Sequence, residues 1–180
     1  MSVRRTRMNE SQQMNESQID RRIDFLIREA KSEDGKRDQA ITYAFRVITN
    51  YLSVGYDARS RELSKKCPHR SKKAHALYLK YSKLNDLKGW LDKVTNEHQY
   101  PIKDAWEWMT NERDTLNVQR VKNHLEKWPV VVVTKDENKL LRDVHYIEPD
   151  QRYSRAGIEV LERIRSGEWQ PWRSPNQTSD

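Results

Sequence analysis

Pro129-Val130-Val131-Val132-Val133-Thr134-Lys135 decides how the rest of the chain is read. Four successive β-branched residues after a proline, with no polar alternation, predict a short strand covered on both faces. Thr134-x-x-Glu137 then forms a capping-box pattern, which opens a helix over residues 135–142. A second short strand is expected over 144–147. Beyond it, Ile158, Leu161 and Ile164 space a last helix over 154–165, stopped by Gly167.

Upstream of the valines the pattern is helical. Thr115 is the expected N-cap of a helix burying Leu116, Val121, Leu125 and Trp128. Pro101 suits the first position of a helix that turns Ile102, Ala105, Trp106 and Met109 inward. Residues 87–94 read as a further turn or the start of a strand, with a break at Gly89. A helix over 71–85 sets Ala74, Leu77, Tyr78, Tyr81 and Leu84 against lysines on its other side. A short polar helix is expected over 57–66, broken before Pro68. Two helices lead the chain. One carries Ile19, Ile23, Leu26, Ile27 and Ala30 and ends at Asp34-Gly35; the other carries Ile41, Ala44, Phe45, Ile48 and Leu52 and ends at Gly55.

The expected fold class is mainly α with a small β-element (α+β). A helical, basic region spans 19–88 and a mixed region spans 89–168, with a flexible tail over 169–180. Residues 1–18 contain a duplication, Met8-Asn9-Glu10-Ser11-Gln12 and Met14-Asn15-Glu16-Ser17-Gln18, too polar to bury a face; a disordered tail or a frayed helical extension is expected there.

At 35% hydrophobic and 34% charged, the 180 residues lie on the polar side of globular composition. No apolar run approaches a membrane span, and Met1 to Arg7 is basic with no apolar stretch behind it, so a cytoplasmic protein is expected. A single cysteine, Cys67, excludes an intrachain disulfide and a Cys-rich zinc site. It reads as an ordinary cysteine in a basic loop whose cations would favour the thiolate. Five glycines argue against a glycine-rich phosphate loop.

Charge is concentrated. Arg59, Arg61, Lys65, Lys66, Arg70, Lys72, Lys73, Lys80, Lys83 and Lys88 stand against Glu62 and Asp86 alone, a net +8 that exceeds the +7 of the whole chain. Such a block points to an anionic partner. Tyr78 and Tyr81, interleaved with it, offer faces for bases to stack on. Nucleic-acid binding through this block is the expected function, with DNA favoured over RNA. The rival is a non-catalytic regulator or inhibitor acting on another protein, of the kind a mobile element encodes. Among six tryptophans, Trp90, Trp106 and Trp128 match core positions. Trp108, Trp169 and Trp172 either pack the C-terminal segment over the core or present an apolar site to a protein partner.

Glu97-His98-Gln99-Tyr100-Pro101, followed by the valine strand and Thr134-Lys135-Asp136-Glu137-Asn138, resembles the HNH, or ββα-metal, nucleases. In that family an acid-histidine pair ends a strand, and a second strand leads into a helix. The resemblance implies a metal-dependent nuclease in which Glu97 and His98 are catalytic, with His98 as general base. It further implies that His98 and Asn138 hold a divalent magnesium or manganese ion. A neutral imidazole can accept a proton from water near neutral pH, and an oxygen-ligated ion would stabilise the phosphoryl charge.

Overall fold

A computed structural model describes residues 15–32, 36–56, 58, 60–144 and 148–173. The N-terminal helices are α1 (Glu16–Lys31) and α2 (Gln39–Val54). Asn15 caps α1: its side chain accepts the Gln18 N–H while Gln18 returns a bond to the Asn15 N–H. Residues 15–18 of the second copy are therefore the start of α1, the helical extension and not the disordered tail of the two expectations. Its polar residues supply the caps that an N-terminus requires. Gly55 ends α2 in the left-handed conformation at φ 82. The expected stop at Asp34-Gly35 lies outside the described residues, and Ser32 caps α1.

Next come α3 (Ser60–Lys66), β1 (His69–Ser71), α4 (Lys72–Lys83), α5 (Leu87–Leu91) and β2 (Val94–His98). Gly89 lies inside α5, where a Cβ would collide with Asp86 and Tyr81. Then follow α6 (Ile102–Asn111), a 3-10 turn (Arg113–Thr115), α7 (Val118–Glu126) and β3 (Val130–Thr134). Thr115 closes the 3-10 turn; the cap of α7 is Asn117, whose side chain accepts the Arg120 N–H at 2.9 Å. The chain finishes with α8 (Lys135–Asp143), α9 (Pro149–Arg155), β4 (Val160–Arg163) and β5 (Trp169–Pro171).

Two expectations fail at the C-terminus. The helix over 154–165 ends at Arg155, Gly157 turns the chain at φ 66, and an extended strand follows. Val160 there is buried while Arg163 is exposed, and the strand hydrogen-bonds to β1. Part of the expected tail is β5, and Trp172 packs against the core. Residues 145–147 of the second expected strand lie outside the described set.

The sheet runs β2-β3-β1-β4-β5. Among the described residues only β1 and β3 are parallel, with Arg70 beside Val132; β2 is antiparallel to β3 from Val94↔Thr134 to His98↔Val130. On one face Val132 joins Cys67, Ala74, Trp90 and Val94, and Val130 joins Ala58 and Leu63, so α3, α4 and α5 lie there. On the other face Val131 and Val133 join Leu141 of α8 and Tyr153 of α9. Covered on both sides, all four valines are 0% exposed. The sheet thus draws strands from either side of residue 88, and α+β holds as the fold class. A separate helical core joins α1, α2, α6 and α7 through Ile23, Leu26, Phe45, Ile48, Met109 and Val121.

Candidate nucleic-acid interface

The adjacent parallel strands β1 and β3 end side by side, and the chain leaves them in opposite directions. After Ser71 it enters α4 on one face of the sheet; after Thr134 it enters α8 on the other. An open α/β sheet forms a crevice beyond the strand ends at such a divergence. Here the crevice is a groove of about 880 Å³ between α4 and α8. Lys73 and Lys80 line it from α4, Lys93 from the turn before β2, and Lys135 and Lys139 from α8. Ala76, Leu77 and Leu140 supply its apolar lining.

A buried carboxylate joins the two helix starts. Ser71 Oγ accepts the Ala74 N–H at 3.0 Å and donates to Glu137 at 2.6 Å. The same Glu137 oxygen accepts the N–H and hydroxyl of Thr134, each at 2.9 Å, completing the capping box seen in the sequence. Glu137 is 3% exposed and makes no ion pair among the described residues, so these three donors satisfy its buried oxygen.

The predicted basic block divides. Arg59 lies outside the described residues. Lys73 and Lys80 line the groove; Lys65 and Lys66 are exposed on α3 and Lys83 at the end of α4. None of these five makes an ion pair among the described residues. Arg61 pairs with Asp92 at 3.3 Å and Lys72 with Glu159 at 2.7 Å. Arg70 departs from the expectation altogether. It is 4% exposed, its guanidinium carbon 4.3 Å from the ring centre of Tyr78, 4.7 Å from Trp169 and 5.0 Å from Trp90. Its place on the central strand points it into the layer under α4, where it cannot meet a phosphate. Tyr78 is occupied in the same cage and meets Trp90 edge-on at 5.2 Å; Tyr81 is half-buried beside Gly89. Sequence reading missed Lys93, Lys135 and Lys139, which lie outside the block; Lys139 pairs with Asp136 at 2.9 Å.

Glu97, His98 and Asn138 do not converge. Glu97 and His98 are consecutive on β2 and so project from opposite faces of the sheet. The Glu97 carboxylate meets Arg152 of α9 at 2.8 Å; burial raises its pKa and Arg152 opposes that rise. Arg152 also donates to the His98 carbonyl at 3.1 Å and the Leu141 carbonyl at 3.2 Å, fastening α9 to the end of β2. His98 lies on the α2 and α3 side, beside Val130, its pKa pulled down to about 4 by burial and by Arg46. Asn138 belongs to α8, across the sheet from it. Among the described residues no three His, Cys, Asp or Glu side chains gather as metal ligands. Cys67 is also not the activated thiol its neighbours suggested: burial pushes its pKa up to about 11, and the thiol donates to the Val130 carbonyl at 2.9 Å.

The three tryptophans expected either to pack over the core or to meet a partner have separate neighbours. Trp108 stacks on His124 with ring centres 3.6 Å apart, Trp169 covers Arg70 and His75, and Trp172 meets His69 edge-on. Among the described residues no helix is long and apolar enough to cross a membrane. In comparisons with protein-family models, curated proteins and solved structures, the chain matches none.

Proposed function

We infer that the chain binds nucleic acid through the α4–α8 groove, as a binder and not a nuclease. The observation that carries this reading is the set Lys73, Lys80, Lys93 and Lys135, which face one open groove at the strand ends without an ion pair among the described residues, while Asp92 and Asp136 on the same lining pair with Arg61 and Lys139. Lysines left unpaired along a groove can neutralise successive phosphates and release their counterions. Four such contacts on duplex DNA correspond to a slope of about −3.6 in log K against log salt. The divergence of Glu97 and His98 supports binding without cleavage.

The test is affinity for a duplex and a single-stranded oligonucleotide at two salt concentrations, for the parent chain and for Lys73→Gln/Lys80→Gln/Lys93→Gln/Lys135→Gln. The variant should bind weakly and with a flattened salt slope; equal affinity and slope would remove the groove from consideration. Incubation with magnesium or manganese should leave both oligonucleotides intact. A second reading, docking of an acidic protein segment, draws on the groove's apolar lining and on Leu140, 46% exposed, and Leu84, 66% exposed. It requires that an acidic amphipathic peptide displace the oligonucleotide at equal ionic strength.

A further inference from the structure

The groove offers charge but no aromatic surface, and the tyrosines interleaved with the basic block are held inside the fold. An exposed aromatic ring beside unpaired cations stands elsewhere. Tyr43, on the N-terminal half of α2, is 57% exposed. Arg22 of α1 lies over its ring at 5.6 Å. Tyr43, Arg37 and Arg46 border a hollow of about 580 Å³ together with Gln39 and Thr42. Asp38 shares this hollow, but its carboxylate is committed to α2, accepting the Ile41 N–H at 2.8 Å. Arg22, Arg37 and Arg46 make no ion pair among the described residues.

We propose that this hollow is a second nucleic-acid site, in which Tyr43 stacks an unpaired base and Arg37 and Arg46 hold the flanking phosphates, so that the protein prefers single-stranded nucleic acid to duplex. The proposal rests on the nucleic-acid reading of the chain but not on the groove. A duplex hides the faces of its bases; a single strand presents them, and an exposed tyrosine between arginines is the pairing that such strands use. Arg22 lies over the ring, and with more than half of Tyr43 exposed, ring surface remains for a base to stack on. The two sites share no lining residue. The last turn of α2 meets the start of β3, where Ser53 accepts the Val130 N–H at 3.1 Å. The groove opens at the other end of β3, about 13 Å of strand away, and Tyr43 lies about 15 Å of helix before Ser53.

Each site can therefore be removed alone, and because Tyr43 is exposed its substitution leaves the core intact. Affinities of the full chain are measured for a single-stranded oligothymidylate and for a duplex of equal length. Tyr43→Ala should weaken single-strand binding about tenfold and change duplex binding by less than about twofold, while Tyr43→Trp should restore the parent value. Arg37→Gln/Arg46→Gln should lower the single-strand salt slope by about 1.4. The lysine variant of the groove should keep its dependence on Tyr43. Unchanged single-strand affinity in Tyr43→Ala, or an equal loss on duplex, overturns the proposal. Loss of Tyr43 dependence in the groove variant overturns it as a separate site. A groove variant that binds like the parent removes the groove alone and leaves the Tyr43 site standing.

Discussion

Arg70 and Lys73 are three positions apart in one basic block, yet they occupy opposite environments. Arg70 belongs to the central strand β1, and three aromatic rings enclose it; Lys73 belongs to α4 and faces the open groove. Charge counted along a sequence therefore says little about charge presented to a partner. The backbone decides, since a strand buried on both faces leaves no outward position, whereas a surface helix keeps one side in water.

The largest effect is expected from a charge placed on the strand beside Arg70 but on the face away from it. Val133→Asp puts an unpaired carboxylate among Leu141 and Tyr153, where the side chain is 0% exposed. A loss of at least about 4 kcal/mol is expected, seen as no cooperative unfolding transition. A parent-like melt would show that the central sheet is wrongly assigned. Removing the caged cation comes next. Arg70→Ala should cost about 3 kcal/mol in urea unfolding, through lost cation–π contact and packing. Arg70→Met, which fills the cage without charge, should cost less than about 1 kcal/mol. Equal costs for the two would mean that the charge, and not the packing, holds the cage together.

Histidine sharpens the comparison, because it can shed the charge that arginine must keep. Burial lowers His69, His98 and His124 to about 4 each. Their folded pKa lies below the unfolded value of about 6.5, so the unfolded chain binds more protons between those limits. Stability is full above about pH 6.5 and falls as pH drops toward 4. Urea midpoints at pH 7.5, 5.5 and 4.5 measure the slope, and His98→Gln should flatten part of it. The smallest effect belongs to the groove: its four lysine-to-glutamine changes should move stability by less than about 0.5 kcal/mol while weakening binding.

Much of the fold was legible because local signals agreed with it. The valine run, the Thr134–Glu137 capping box and the stripes of α1 and α2 each carry their own cause. The other strands were hidden for physical reasons. His69–Ser71 is three polar residues between a proline and lysines, and only its neighbours β3 and β4 make it a strand. Ile158, Leu161 and Ile164 fit a helical period equally well, and the turn at Gly157 settles the matter. At the site, Lys73 and Lys80 could be read from charge, but Lys93 and Lys135 could not. Their convergence depends on α4 and α8 leaving the sheet on opposite sides. The alternation of β2, by contrast, was enough to separate Glu97 from His98 once that segment was known to be a strand.

The hydrogen bond from Ser71 to Glu137 joins residues 66 positions apart and has a consequence for how the chain comes together. During synthesis β1 emerges with no strand to pair with, because both its neighbours, β3 and β4, come later. The N-terminal helical core must likewise wait for α6 and α7. Closing a loop of this length is the entropic barrier to the sheet, and it precedes any reward from β1–β3 pairing. Glu137 penalises an incomplete closure, since a carboxylate buried without Ser71 loses one of its donors. The C-terminal third thus completes a structure begun by the first half, and a nascent chain halted before residue 130 exposes the unpaired edges of β1.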